Sequence, residues 1–348
     1  MKNREKPIVG ISAGDPAGIG PEITVRALIL PEIYHVCRPM VICDAAIIKQ
    51  IIKICQLPLE INIVEDPQDG KYEPGIVDVL DMNNINLEEF DFNQVTAMTG
   101  KASYDYVAKV IELAMQGNIE ATVTGPIHKE ALKAGGYHYA GHTEIYAALT
   151  GTKKYSMMLA DGHFRVVHVS THVSLLEAIA RVTKARVKEV IQLAHDALQN
   201  MDITNPRIAV AGLNPHAGEN GLFGQEEIRE IIPAIAEANR EGMQVEGPFP
   251  PDTIFPKMKG GQYDIVVCMY HDQGHIPTKL LGFEYDHTLQ QWKGLSGVNI
   301  TLGLPIIRVS VDHGVAFDKG GKCEANPESM IQAIKYAARF SNKKAMAS

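Results

Sequence analysis

A chain of 348 residues, 45% hydrophobic and 21% charged, has the composition of a globular protein with room for about two domains or one large α/β unit. A formal net charge of −8 with no long basic run argues against nucleic acid or an anionic membrane as the main partner and favours a small one. No run of 18 apolar residues occurs, and the apolar stretch behind the charged N-terminus is too short for a signal peptide, so a cytoplasmic protein is expected. Five cysteines (Cys37, Cys43, Cys55, Cys268 and Cys323), an odd number without a CxxC pair, are expected to be reduced thiols rather than a disulfide framework or a thiolate zinc site.

Along the chain, short β-rich runs alternate with longer amphipathic stretches, which predicts an α/β fold with a largely parallel sheet. The first run, "PIVGIS", leads into "AGDPAGIGPE", where glycines precede a helix that starts near Pro21. This turn fits neither GxGxxG nor the P-loop pattern, and Asp15 reads equally well as a cap or as a polar contact to a ligand. "PMVICD" and "ATVTG" follow as strands, the latter running into "PIHKE". "FRVVHVS" then ends at His172, and residues 184–199 place Val187, Val190, Ile191, Ala194 and Leu198 on one helical face. "PRIAVAG" is followed by His216, after which Glu226 to Arg240 repeats the helical period with Ile228, Ile231, Ile232 and Ile235. "YDIVVCMY" delivers His271, Asp272 and His275, with Lys279 shortly after. The last run, "PIIRVSV", opens a loop holding His313-Gly314, Gly320-Gly321 and Asn326-Pro327.

Two constellations could carry chemistry. His172, His216 and His271 each follow a strand, where α/β folds present binding loops, and three neutral imidazoles can hold a divalent cation if the strands converge. Three unrelated loop histidines are the alternative. The 311–330 loop, glycine-rich and closed by a helix N-terminus, could bind a nucleotide without a Rossmann fingerprint, or could be a long structured turn. Gly and Pro concentrate at strand ends, and no flexible linker divides the chain.

In order, "GDPAGIGPE", "TGPIHKEAL", "GHTE", "VSTHVSL", "LNPHAGENGLFGQEE", "PPDTIF", "YHDQGHIPTK" and "GVNITLGLPIIRVSVDHG" resemble the motifs of the PdxA family, the 4-hydroxythreonine-4-phosphate dehydrogenases, over nearly the whole chain. "GQYDIVVCMYHDQGHIPTKLLGF" and "ENGLFGQEE" look closer to the branch acting on D-threonate or D-erythronate 4-phosphate. The resemblance implies a two-lobed α/β/α architecture like that of isocitrate and isopropylmalate dehydrogenases, with residues 1–125 and 305–348 in one lobe and 126–304 in the other. It implies a homodimer with the active site at the subunit interface. It implies NAD or NADP bound by His313, Gly314, Gly321 and Asn326, and a divalent metal, zinc first with magnesium, manganese or cobalt as alternatives. The metal would rest on His172, His216 and His271, with His271 reaching across from the second subunit. Substrate would be held by His142, Thr143, Lys279, Asn299 and Arg308, and Lys279 and Asp272 are the candidate catalytic residues.

The implied reaction is oxidation of a secondary alcohol β to a carboxylate, followed by loss of CO₂ from the β-keto acid. A metal-dependent hydrolase without nucleotide, or the family's cis-dihydrodiol dicarboxylate branch, are the competing readings. "EYDHTLQQWKGLSG", between Phe283 and Val298, is longer than the family commonly has there, and with Trp292 could form a lid or a substrate wall.

Overall fold

The computed structural model describes residues 6–288, 291–295 and 297–347. The chain folds as two compact units, Met1–Lys153 with Leu304–Ser348, and Lys154–Gly303.

The first unit opens with β1 (Ile8–Ser12), α1 (Gly20–Leu28), α2 (Pro31–Val36), β2 (Arg38–Cys43), α3 (Ala45–Ile54), β3 (Glu60–Val64) and β4 (Ile76–Asp81). It continues through α4 (Ala97–Met115), β5 (Ala121–Thr124), α5 (Lys129–Ala134) and α6 (His142–Thr150). The second unit holds β6 (Ser156–Asp161), β7 (Phe164–His168), α7 (Leu175–Arg181), α8 (Lys184–Gln199), β8 (Arg207–Ala211), α9 (Ile232–Arg240), β9 (Gln244–Phe249) and α10 (Pro251–Lys259). It ends with β10 (Ile265–Cys268), α11 (His271–Gly282), β11 (Phe283–Asp286), β12 (Gln291–Leu295) and β13 (Val298–Leu302). The chain then returns to the first unit as β14 (Ile307–Val311) and α12 (Glu328–Ala347).

In the first unit the strand order is β3-β4-β2-β1-β5-β14, and all pairings are parallel. From β1 the chain builds outward on one side through β2 to β4, then crosses to β5 on the other. The strand order therefore reverses between β1 and β5, the kind of point beyond whose carboxyl ends α/β sheets bind ligands. Local chemistry sets the helices: Asp44 caps α3 by accepting from Ala46 N at 2.9 Å, and Ile47, Ile48, Ile51 and Ile52 form its buried stripe. Residues 126–153, expected in the second lobe, belong here because α5 and α6 pack on α4, and Tyr146 of α6 donates to Thr122 of β5 at 2.9 Å.

The second unit departs from a purely parallel reading. β7, β10, β8 and β9 are parallel neighbours, but β6 runs antiparallel to both β7 and β13. β6 and β7 are joined by a tight turn at Gly162, which only an antiparallel pair can use. Leu159, Phe164, Val166, Ala209, Ile254, Met258 and Val266 make its apolar cluster. α8 buries all five residues predicted for its face, with Thr183 as cap. The second predicted helix is split: a π-helical turn at Glu227–Ile231 precedes α9, so Ile231 and Ile235 are buried while Ile228 and Ile232 are exposed. One extra residue in the turn rotates the apolar positions off a single face.

The cysteine expectation needs correction, because Cys55 and Cys323 are joined in a disulfide, with Cα atoms 5.4 Å apart, while Cys37, Cys43 and Cys268 are free and buried. The partners are 268 positions apart in sequence, and only packing of the first unit reveals the pairing. Among the described residues, no helix is long and apolar enough to cross a membrane.

Candidate active site

In the second unit, β7 and β10 are neighbours, so the residues that follow them emerge side by side. This brings the His172 ring to 5.7 Å from that of His271. Thr171, His172, Tyr270, His271 and Asp272 line a cleft of ≈ 490 Å³, with Val173, Ser174, Leu175 and Ala178 as its other wall. His271 Nδ1 lies 2.7 Å from Asp272 Oδ1, and a carboxylate can only accept, so the proton sits on Nδ1 and the lone pair on Nε2. Asp272, expected to be catalytic, is thus engaged in fixing the tautomer of His271. Behind this pair lie His275 and His168. Burial is the main force that holds both rings neutral, lowering His275 to about 4 and His168 to about 3.

His216 follows β8 on a turn with left-handed backbone from His216 to Asn220 (φ 54°, 52°, 78°, 40° and 56°). Non-glycine residues adopt this conformation at a cost of roughly 1–2 kcal/mol each. Glu227, on the π-helical turn, steadies the loop: its buried carboxylate accepts from Leu213 N and Asn214 N, both at 2.8 Å, and from Asn214 Nδ2 at 3.0 Å. Among the described residues of the single chain, no group of three or more His, Cys, Asp or Glu side chains stands at ligating geometry; the triple implied for His172, His216 and His271 draws His271 from a second subunit. The His172–His271 pair does suit a shared ion, since two imidazoles on one tetrahedral cation have ring centres roughly 5–6 Å apart. That pair lies within a single chain. Lys279 is exposed in the last turn of α11, and Asn299, on β13, places its Nδ2 2.7 Å from Met157 Sδ.

The first unit holds a second set. Arg308 is buried on β14, in register with Thr122, and donates to Thr124 Oγ1 at 3.0 Å. Its guanidinium lies 5.5 Å from the Tyr146 ring centre, and burial pulls its pKa down to about 10. His142, at the start of α6, is only partly covered as a residue, but its Nε2 is buried and without a partner. Burial first, and the Arg308 charge second, hold its ring far below the usual imidazole range. Thr143 follows it, half-buried.

Around the β1/β5 reversal three loops interlock: Asp15 N donates to Pro126 O at 2.9 Å, Ile19 N to Val315 O at 3.0 Å, and the His128 and Phe317 rings are 4.9 Å apart. Ser12 Oγ, His128 Nδ1 and His313 Nε2 are all buried there without partners. Buried polar atoms are normally satisfied, so this concentration marks a place for a polar ligand or ordered water. Asp15 Oδ1 accepts from Ala17 N at 3.0 Å, yet burial raises its carboxyl to about 6. The 311–330 residues divide in role: the space around Gly314 is open, whereas Gly321 (φ +69°) faces Phe92, 2.9 Å from where a Cβ would stand. Asn326 Oδ1 accepts from Glu328 N at 2.9 Å and so caps α12.

Residues 35–337 match the family described as "Pyridoxal phosphate biosynthetic protein PdxA". The chain belongs to the PdxA family. A D-threonate 4-phosphate dehydrogenase of Cupriavidus necator is 42% identical to it over 340 residues, 97% of this chain and 98% of the relative. The crystal structure of a 4-hydroxythreonine-4-phosphate dehydrogenase from Burkholderia phymatum superposes with a TM-score of 0.84 at 42% identity, covering 97% of this chain and 99% of that one. A terephthalate 1,2-cis-dihydrodiol dehydrogenase from Burkholderia xenovorans matches at a TM-score of 0.67 and 31% identity, over 96% and 98% of the two chains. In this PdxA chain, sequence reasoning missed His168 and Glu227, and gave His275 no role. His168 sits inside a strand and Glu227 inside a helical pattern, where neither residue type announces itself. The segment between Phe283 and Val298 includes β11 and β12, paired antiparallel with Tyr285 opposite Trp292; the Trp292 side chain lies outside the described residues.

Proposed function

We propose that this protein oxidises the secondary alcohol of a 4-phosphorylated 3-hydroxy acid, D-threonate 4-phosphate first among the candidates, with NAD or NADP and a divalent cation. The resulting β-keto acid then loses CO₂. The observation that carries the reading is the buried Arg308 beside neutral His142 and the Thr124 hydroxyl, in a chain whose relatives are named for phosphorylated hydroxy acids.

The planar fork of a guanidinium matches two oxygens of a phosphate or carboxylate. His142 adds hydrogen bonding without a second positive charge, and Thr143 and Asn299 offer uncharged contacts to substrate hydroxyls. Lys279 supplies an ammonium, either to offset the substrate's remaining anionic group or to assist proton transfer. His313, Gly314 and Asn326 are assigned to the nucleotide. The unpartnered Ser12, His128 and His313 atoms support it, because a dinucleotide presents polar groups to such loops. Gly321 serves that loop by giving it shape. His172 and His271 would hold the cation. When bound, it supplies positive charge that acidifies the substrate hydroxyl and offsets the charge left as CO₂ departs. Asp272 keeps the His271 lone pair on Nε2 for that purpose.

Homodimerisation belongs to the same proposal. Leu176 (80% exposed) on α7 and Ile276 (64%) and Leu280 (79%) on α11 stand on the two helices whose first residues line the histidine cleft, and large exposed apolar side chains on such helices fit a subunit interface. The test is reduction of NAD or NADP, followed at 340 nm with Mn²⁺ or Zn²⁺ present. D-threonate 4-phosphate, D-erythronate 4-phosphate, 4-hydroxy-L-threonine 4-phosphate and unphosphorylated D-threonate are compared. Reduction with a phosphorylated acid, with CO₂ released, is the expected result. No reduction with any of the three phosphorylated acids would sink the proposal, and phosphate release instead would favour a hydrolase.

A further inference from the structure

The His275 ring lies against that of His271, centres 3.6 Å apart and planes within 9°. The two residues are one helical turn apart on α11, so the backbone places them on the same face, and a second contact sets how they meet. His275 Nδ1 is 2.9 Å from the His271 carbonyl oxygen, which can only accept, so His275 donates from Nδ1. His275 also meets His168, ring centres 4.8 Å apart, with the His168 and His271 centres 6.5 Å from each other. His168 is fully buried and anchored through Nδ1 to Met157 O at 3.1 Å. The approach of α11 to this anchor depends on Gly274, where a Cβ would stand 2.4 Å from His168 Nε2. The result is a cluster of three rings, bent at His275, that links the interior of the second unit to the cleft. Only the outermost, His271, lines the cleft; His275 is 7% exposed and does not.

We infer that His275 is a positioning residue that fixes the plane of the His271 imidazole, while Asp272 fixes its tautomer, so that His271 Nε2 is presented to the cleft in one orientation. An imidazole has two freedoms that matter to a ligand, which nitrogen carries the lone pair and where that lone pair points. A carboxylate at Nδ1 settles the first and leaves rotation about the side-chain bonds. The flat face of His275, itself wedged on His168, removes the second. This inference rests on the reading of His271 as a cation ligand.

The experiment is a Co²⁺ titration of the intact protein, read by the visible ligand-field spectrum and by the apparent Kd, for wild type, His271→Ala, His275→Ala and His275→Phe. Loss of an orienting partner typically weakens a metal site 10–100-fold. A weakening of about that size in His275→Ala, with an altered spectrum, is expected, while His275→Phe, which restores a flat ring, keeps most of the wild-type affinity. Melting curves of each variant separate a binding effect from a folding one. A folded His275→Ala that binds Co²⁺ with the wild-type Kd and spectrum overturns the inference, and so does a folded His275→Phe as weak as the alanine variant. If wild type and His271→Ala bind Co²⁺ alike, the cation reading itself has failed and the inference falls with it.

Discussion

Gly314 and Gly321 stand in one loop, and what an added side chain would meet separates them. At Gly321 it would strike Phe92 on a left-handed backbone, which costs roughly 1–2 kcal/mol before any clash. Gly321→Val should therefore lower Tm, leaving the cofactor KM of the folded fraction little changed. Gly314→Val, whose side chain enters open space, should raise the KM for NAD(P) several-fold at unchanged Tm; the reverse pattern would remove the loop from the cofactor site. Asp15 gives a pH-dependent test. Its folded pKa of about 6 lies above the ordinary aspartate value near 3.8, so the fold prefers the neutral carboxyl. That stability is complete below about pH 4 and is lost as pH rises through 6, to the order of 2–3 kcal/mol. Asp15→Asn should then match wild type in Tm near pH 4 and exceed it near pH 8, and equal Tm at both pH values would refute the assignment. In the sequence the glycines and Asp15 were visible as residues of strand-end loops. The direction of a missing Cβ and the burial of one carboxyl are tertiary facts that spacing does not encode.

The π-helical turn Glu227–Ile231 shows what periodicity can and cannot give. The apolar spacing of 226–240 marked a helix, but a π turn keeps the hydrophobic residues and shifts their faces, so the pattern survives while the face assignment fails. Glu227→Ala would leave the Leu213 and Asn214 amides without their acceptor, at about 1–3 kcal/mol for unpaired buried donors. Faster proteolysis within 214–221 and a lower Tm are the expected outcomes, with Glu227→Gln in between. The β11–β12 pair is an element the sequence presented as extra length and as a candidate lid or substrate wall, without its strands. A two-stranded hairpin is marginal in isolation, which suits a segment that closes over substrate. Replacing residues 285–295 with a short Gly-containing turn should lower kcat/KM for the phosphorylated acid without changing NAD(P) binding or metal content; full kcat/KM after trimming would end the lid hypothesis.

At the scale of the whole chain, the alternation of strands and helices made the α/β class legible, and the run of motifs made the family legible. The unit boundary was less so, since "TGPIHKE" and "GHTE" read as loops until α5 and α6 are seen on α4. The proposed homodimer has its test at this scale. Leu176→Lys combined with Leu280→Lys should shift the protein to a monomer by light scattering and remove turnover, and a double variant that stays dimeric and active would place the interface elsewhere. The division of the first unit into two stretches has a consequence for synthesis. β5 receives its outer neighbour only when residues 307–311 emerge from the ribosome, after all of residues 154–303. At ~5–20 residues per second that interval is roughly 10–30 s. During it the second unit has its entire sequence available, while the first carries an unpaired parallel edge and lacks the cover of α12. The nascent chain is thus most prone to aggregate during that interval, and residues 304–347 act as the closing strand and cover of a unit begun at β1.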